Sequence, residues 1–103
     1  GFIHLSLEAD GHAALRQCAD ALRSHLKNDL LLCTALHEGK VLLLLVVGSE
    51  LMQLITAKQA IQTLIEGMGG SGGGRPDLAQ GAGEDQNGLT KSINALKHVI
   101  MDN

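Results

Sequence analysis

Arg75 closes the run Gly72-Gly73-Gly74 and is followed by Pro76-Asp77, so a permanent cation, a locked φ and a carboxylate succeed one another. Glycine carries no Cβ and lets a ligand or another backbone approach closely. A guanidinium can grip phosphate or carboxylate through two parallel hydrogen bonds. The stretch Gly67–Gly83 holds Gly67, Gly69, Gly70, Gly72, Gly73, Gly74, Gly81 and Gly83 out of 13 glycines in the chain. Plain linkers are glycine- and serine-rich without such side chains. The pattern therefore reads as a close-approach loop with exposed backbone N–H groups, ending in Arg75. The alternative is structural: the glycines pack against a sheet and Arg75 pairs with Asp77.

Other chemistry is poorly supplied. Gly67, Gly69 and Gly72 form a G-x-G-x-x-G, but after an expected helix rather than a strand, and no Lys-Ser/Thr pair completes a phosphate loop. His4, His12, His25, His37 and His98 make no close ligand spacing, and His25 falls on an apolar helical arc, where a hydrogen-bonded core histidine is expected. Cys18 and Cys33 have no metal spacing and read as two reduced core thiols in a reducing compartment. No catalytic residue, metal site or cofactor of the chain itself is assigned. Arg16, Arg23 and Lys27 fall within one sector at about 100° per residue, but Asp20 shares it and pairing would cancel much of the charge. That stripe reads as a solvated face. A net charge of −3 argues against broad nucleic-acid binding, so any such contact must be local.

The elements that would position the loop follow from periodicity. Phe2–Leu7 reads as a strand. Asp10 suits the N-cap of a helix from His12 to Lys27, with Ala14, Leu15, Cys18, Ala21, Leu22 and Leu26 recurring at helical spacing. Leu30–Leu36 and Lys40–Val47 flank His37-Glu38-Gly39 as a hairpin, the second run apolar on both alternations and so a central strand buried on both faces. Leu51 and Leu54 are expected to anchor the next connector. Thr56 and Gln59 match a capping box for a helix running to about Glu66, with Ala57, Ala60, Ile61, Leu64 and Ile65 inward and Gly67 as its positive-φ stop. Leu78–Gly81 is a short edge strand. Asn87 can cap a last helix striped by Leu89, Ile93, Leu96 and Ile100. The expected fold class is α+β, a mixed sheet packed against helices in the order β-α-β-β-α-Gly-rich loop-(short β)-α.

With 103 residues, 45% hydrophobic and 18% charged, residues 1–103 are expected to make one domain around a single aliphatic core. Val41–Val47 falls far short of the roughly 20 residues that span a bilayer as a helix, so no membrane partner is expected. The chain starts at Gly1 and not at Met, which suggests a piece of a longer polypeptide.

The run from Gly69 to Gly83, GGSGGGRPDLAQGAG, resembles the signature GGKGGGRPDMAQGGG of the C-terminal domain of bacterial alanyl-tRNA synthetases, departing at Ser71, Leu78 and Ala82. Glu38-Gly-Lys-Val41 matches that family's hairpin turn, Ala57 its second helix, and the likeness covers essentially the whole chain. A related domain closes the DHH phosphoesterases, where a histidine follows the glycines. Here Arg75 stands in that place and no Asp-His-His occurs.

The resemblance implies a non-catalytic tRNA-binding domain that docks the outer corner of tRNA-Ala and supports aminoacylation and editing in the cytoplasm. By the same resemblance, the catalytic and editing domains lie upstream in the full enzyme, with ATP/Mg and zinc as their cofactors. Gly69, Gly70, Gly72, Gly73, Gly74, Arg75, Gln80 and Lys91 are the implied RNA-binding residues. Ser71 replaces the family's lysine and removes one phosphate contact. With Phe2 the lone aromatic, base stacking is scarcely available, leaving shape, sugar hydroxyls and phosphates. Two rival readings remain: a dimerisation or structural module with a homodimer as partner, and a nucleic-acid-binding accessory of a phosphoesterase.

Overall fold

A computed structural model describes residues 2–7 and 11–101. The elements run β1 (Phe2–Leu7), α1 (Gly11–Arg23), β2 (Leu30–His37), β3 (Lys40–Val47), α2 (Ala57–Met68), β4 (Gly70–Gly74), β5 (Leu78–Gly83) and α3 (Leu89–Met101), with single 3-10 turns at Leu51–Gln53 and Gln86–Gly88. The five strands form one mixed sheet in the order β1-β2-β3-β5-β4. β1 is parallel to β2, as a crossover through α1 allows, and every other pair is antiparallel. This is the α+β class expected from the pattern.

β3 sits in the middle with both faces covered, which explains a run that lacks alternation. The sheet divides the aliphatic core into two layers, where a single core was expected. On one side Leu31, Cys33, Leu42, Leu44, Val46 and Leu78 meet Leu15, Ala19 and Leu26. On the other, Leu32, Leu43, Leu45 and Ala79 meet Ile61 and Leu64 of α2 and Ile93, Leu96 and Ile100 of α3.

The β2–β3 hairpin pairs His37 with Lys40 and turns through Glu38 (φ 53°) and Gly39 (φ 81°). Two left-handed central residues match the twist of the strands they join. The capping box of α2 is formed: the Gln59 N–H donates to Thr56 Oγ1 at 3.2 Å and the Thr56 N–H to Gln59 Oε1 at 3.0 Å.

Several local expectations are corrected. α1 ends at Arg23, not Lys27, and gives way to a turn in which the His25 and Leu26 N–H groups donate three residues back to Leu22 and Arg23. The Lys27 carbonyl accepts from the N–H groups of Glu50 and Leu51, which ties the segment after the turn to the connector beyond β3. His25, beyond the helix end, is exposed and not a core histidine, and Ala21 is exposed as well. Asp10, the expected cap, lies outside the described residues. Leu54 is exposed whereas Ile55 is buried, because the 3-10 turn places Ile55, four residues on, beside Leu51. α2 runs through Gly67 to Met68, and Gly69 (φ 73°) is the residue that ends it. Gly67 lies inside the helix, where a Cβ would overlap Ser92 Oγ of α3, so close packing and not a positive φ accounts for the glycine. Asp85, not Asn87, supplies the cap before α3, accepting from the Asn87 N–H at 3.0 Å.

The largest correction concerns the glycine run. It is not a loop: Gly70–Gly74 is the outer strand of the sheet, and β5 is an inner strand between β3 and β4. Glycine disfavours strands on its own, so tertiary contacts must supply the reason.

Candidate nucleic-acid interface

The β4–β5 hairpin owes its glycines to the partner strand's backbone and to α2. A Cβ on Gly72 would stand 2.6 Å from Ile65 Cδ1 and 2.9 Å from the Gln80 carbonyl oxygen, and one on Gly83 would stand 2.6 Å from Met68 Cε. The helix thus lies close against the two strands, and Gln62 Nε2 donates to the Gly72 carbonyl at 3.1 Å. Gly73 differs. It points to the opposite face, has no positive φ, and a Cβ there would meet nothing within 4 Å.

The Arg75 N–H donates to the Leu78 carbonyl at 2.8 Å and closes the turn over Pro76-Asp77. Three elements hold that turn. Its Pro76 carbonyl accepts from the Ala57 N–H at the start of α2 (2.7 Å), and its Asp77 carbonyl accepts from the Val47 N–H at the end of β3 (3.0 Å). Arg23, the last residue of α1, donates to the Asp77 carboxylate. Arg75 Nε stands 3.7 Å from the other Asp77 oxygen, and its side chain is 68% exposed.

On the α1 side of the hairpin, Arg16, Gly73, Gly74, Arg75, Leu78 and Gln80 line a shallow pocket of about 290 Å³. Gly73 and Gln80 are direct cross-strand partners. Of the residues singled out from the sequence, Gly73, Gly74, Arg75 and Gln80 are brought together here. Gly69 and Gly70 lie at the α2–β4 junction, and Gly72 is turned towards α2. Lys91 is on α3, whose apolar stripe packs with α2 on the opposite layer, so it does not join the pocket. Arg16, read from sequence as part of a solvated stripe, does join it. Helical spacing gave its sector, but only the docking of α1 against the sheet tells what that sector faces. A second hollow of about 320 Å³ adjoins along the hairpin, lined by Lys40, Gly70, Ser71, Ala82 and Glu84.

Two guanidiniums beside an open glycine backbone can hold a phosphodiester; the pocket offers no nucleophile with a neighbouring base. Among the described residues no group of three or more His, Cys, Asp or Glu could hold a metal ion. No helix among them is long and apolar enough to cross a membrane.

The DHHA1 domain family model matches residues 2–102. The chain belongs to that family. This DHHA1 domain is 40% identical over 90 residues to the alanine–tRNA ligase of Lawsonia intracellularis, covering 86% of this chain and 10% of that protein. With the ligase of Anaeromyxobacter dehalogenans it shares 39% over 87 residues, 84% of this chain and again 10% of the other. The DHHA1 domain thus spans about a tenth of the length of these curated relatives. Its fold matches the crystal structure of the C-Ala domain from Aquifex aeolicus alanyl-tRNA synthetase with a TM-score of 0.85 at 28% identity, covering 96% of this chain and 89% of that one.

Proposed function

We propose that this DHHA1 domain is a non-catalytic part of an alanine–tRNA ligase, acting in the cytoplasm, that docks the folded tRNA-Ala at its outer corner. The observation that carries the reading is Gly73. Glycine weakens a strand by roughly 0.5–1 kcal/mol relative to alanine, and neither φ nor packing calls for it at this position. Its open space lies in the pocket of Arg16 and Arg75, where a sugar–phosphate backbone can come within hydrogen-bond reach. Arg75 and Arg16 bind phosphate, Gln80 reaches a sugar hydroxyl or base edge, and Gly73 and Gly74 allow the approach. The relatives' names, which specify a ligase joining alanine to tRNA, support this choice of RNA.

A net charge of −3 makes binding by the isolated chain weak and salt-sensitive, and tethering to the remainder of a ligase would raise the effective concentration. The test is a titration of the 103-residue chain with full-length tRNA-Ala and with an acceptor-arm minihelix. Tighter binding to the full tRNA, lost in Arg75→Ala and in Gly73→Val, is expected. Equal affinity for both RNAs, or indifference to both substitutions, overturns the reading.

A homodimer is the second reading, favoured by β4 as an outer strand whose pairing is described only with β5. Sedimentation that shifts with concentration in the absence of RNA affinity would support it.

A further inference from the structure

Asp77 carries two arginines, and one carboxylate cannot neutralise both. Arg23 donates directly to Oδ2, whereas Arg75 Nε remains 3.7 Å from Oδ1. Exposure follows the same division, 39% for Arg23 against 68% for Arg75. We propose that Arg23 is a positioning residue of the docking face: by taking the direct hydrogen bond to Asp77 it keeps Arg75 in only a longer ion pair, its guanidinium left at the pocket. This rests on the docking role given above.

The backbone makes the arrangement a choice between side chains. With the Pro76 and Asp77 carbonyls fixed by Ala57 and Val47, the turn cannot follow either arginine. Without Arg23, Arg75 is the nearest cation to Asp77 and closes onto it. A guanidinium engaged in a bidentate carboxylate pair has lost the edge that would grip a phosphate. Asp20 lies one turn before Arg23 on the exposed side of α1 and Arg16 one turn earlier again, in the pocket itself. Removing Arg23 therefore shifts the local balance from net positive towards neutral while leaving Arg16 in place.

The experiment compares Arg23→Gln, Asp77→Asn, the double variant and Arg23→Lys in the 103-residue chain, with tRNA-Ala as probe across a salt series. Arg23→Gln should weaken binding several-fold and lower the salt slope by about one, as Arg75→Ala does. Asp77→Asn should bind at least as well as the parent. The double variant should recover the Asp77→Asn affinity, because an uncharged amide in place of the carboxylate no longer captures Arg75, and Arg23→Lys should stay near the parent. A double variant as weak as Arg23→Gln overturns the proposal, since Arg23 would then touch the RNA or act only through stability. NMR of the Arg75 Nε–H supplies a readout free of RNA: its solvent exchange should slow in Arg23→Gln and quicken in the double variant. If the parent chain binds no tRNA, the docking role fails, and this exchange still decides whether Arg23 keeps Arg75 from Asp77. Unchanged exchange overturns the proposal in either case.

Discussion

Arg23 and Asp77, 54 positions apart, form a half-exposed ion pair that fastens the end of α1 to the β4–β5 turn. With 39% and 30% of the side chains exposed, solvent screening limits its worth. Arg23→Ala should therefore lower stability by only about 0.5–1 kcal/mol in urea titration. A loss of several kcal/mol would mean that the turn collapses without α1.

The first turn of α2 is satisfied twice over, by the capping box of Thr56 and Gln59 and by the Pro76 carbonyl on the Ala57 N–H. Thr56→Ala should cost about 1 kcal/mol, read as a shift of the urea midpoint at unchanged slope, with Thr56→Ser retaining most of it.

Neighbouring glycines of β4 should answer alanine in opposite ways. Gly72→Ala drives a methyl to 2.9 Å from the Gln80 carbonyl and 3.0 Å from Gly81 Cα, backbone atoms that cannot swing aside. A cost of roughly 1–3 kcal/mol follows. Gly73→Ala meets open space and should change stability by no more than about 0.5 kcal/mol, or raise it slightly. Equal losses at the two positions would contradict the packing of α2 on this hairpin.

Burial, then the charge of and hydrogen bond to Cys18, push the Cys33 thiol up from its ordinary 9.0 to about 12. The folded state thus holds its proton through a pH range in which the unfolded chain releases it. That contribution is complete below pH 9.0 and is lost as pH rises towards about 12, by up to roughly 1.4 kcal/mol per pH unit. Urea titrations between pH 8 and 10.5 should show this decline in the parent and a flatter profile in Cys33→Ala.

His4 shares a hydrogen bond with Thr34 Oγ1 at 3.0 Å, and partial burial, followed by repulsion from Lys97, holds its pKa below 6.5. The unfolded chain then takes up the proton first, so stability is retained above pH 6.5 and falls as the pH drops through the folded-state value. His4→Gln should remove part of this acid-side slope, measured as Tm against pH from 7.5 to 5.

Elements with local rules were legible from the chain alone. Thr56 and Gln59 fix the start of α2 because their partners lie three residues apart, and the Glu38-Gly39 turn sets the β2–β3 register because it connects adjacent strands. The unbroken apolar run of β3 announced burial on both faces. Gly73, Gly74, Arg75 and Gln80, near neighbours in sequence and singled out together from it, line one pocket. Only the tertiary structure decided that Gly70–Gly74 is a strand. Glycines have no side chains to alternate, and what extends them is the edge of β5 and the close approach of Ile65 and Met68. It also ended α1 at Arg23, left His25 exposed beyond it, and brought Arg16 to the pocket. Periodicity and caps act within a few residues and are written locally. The pairing of Arg23 with Asp77 and the separation of Lys91 from Arg75 depend on which layers meet, and that is settled only when the whole sheet is packed.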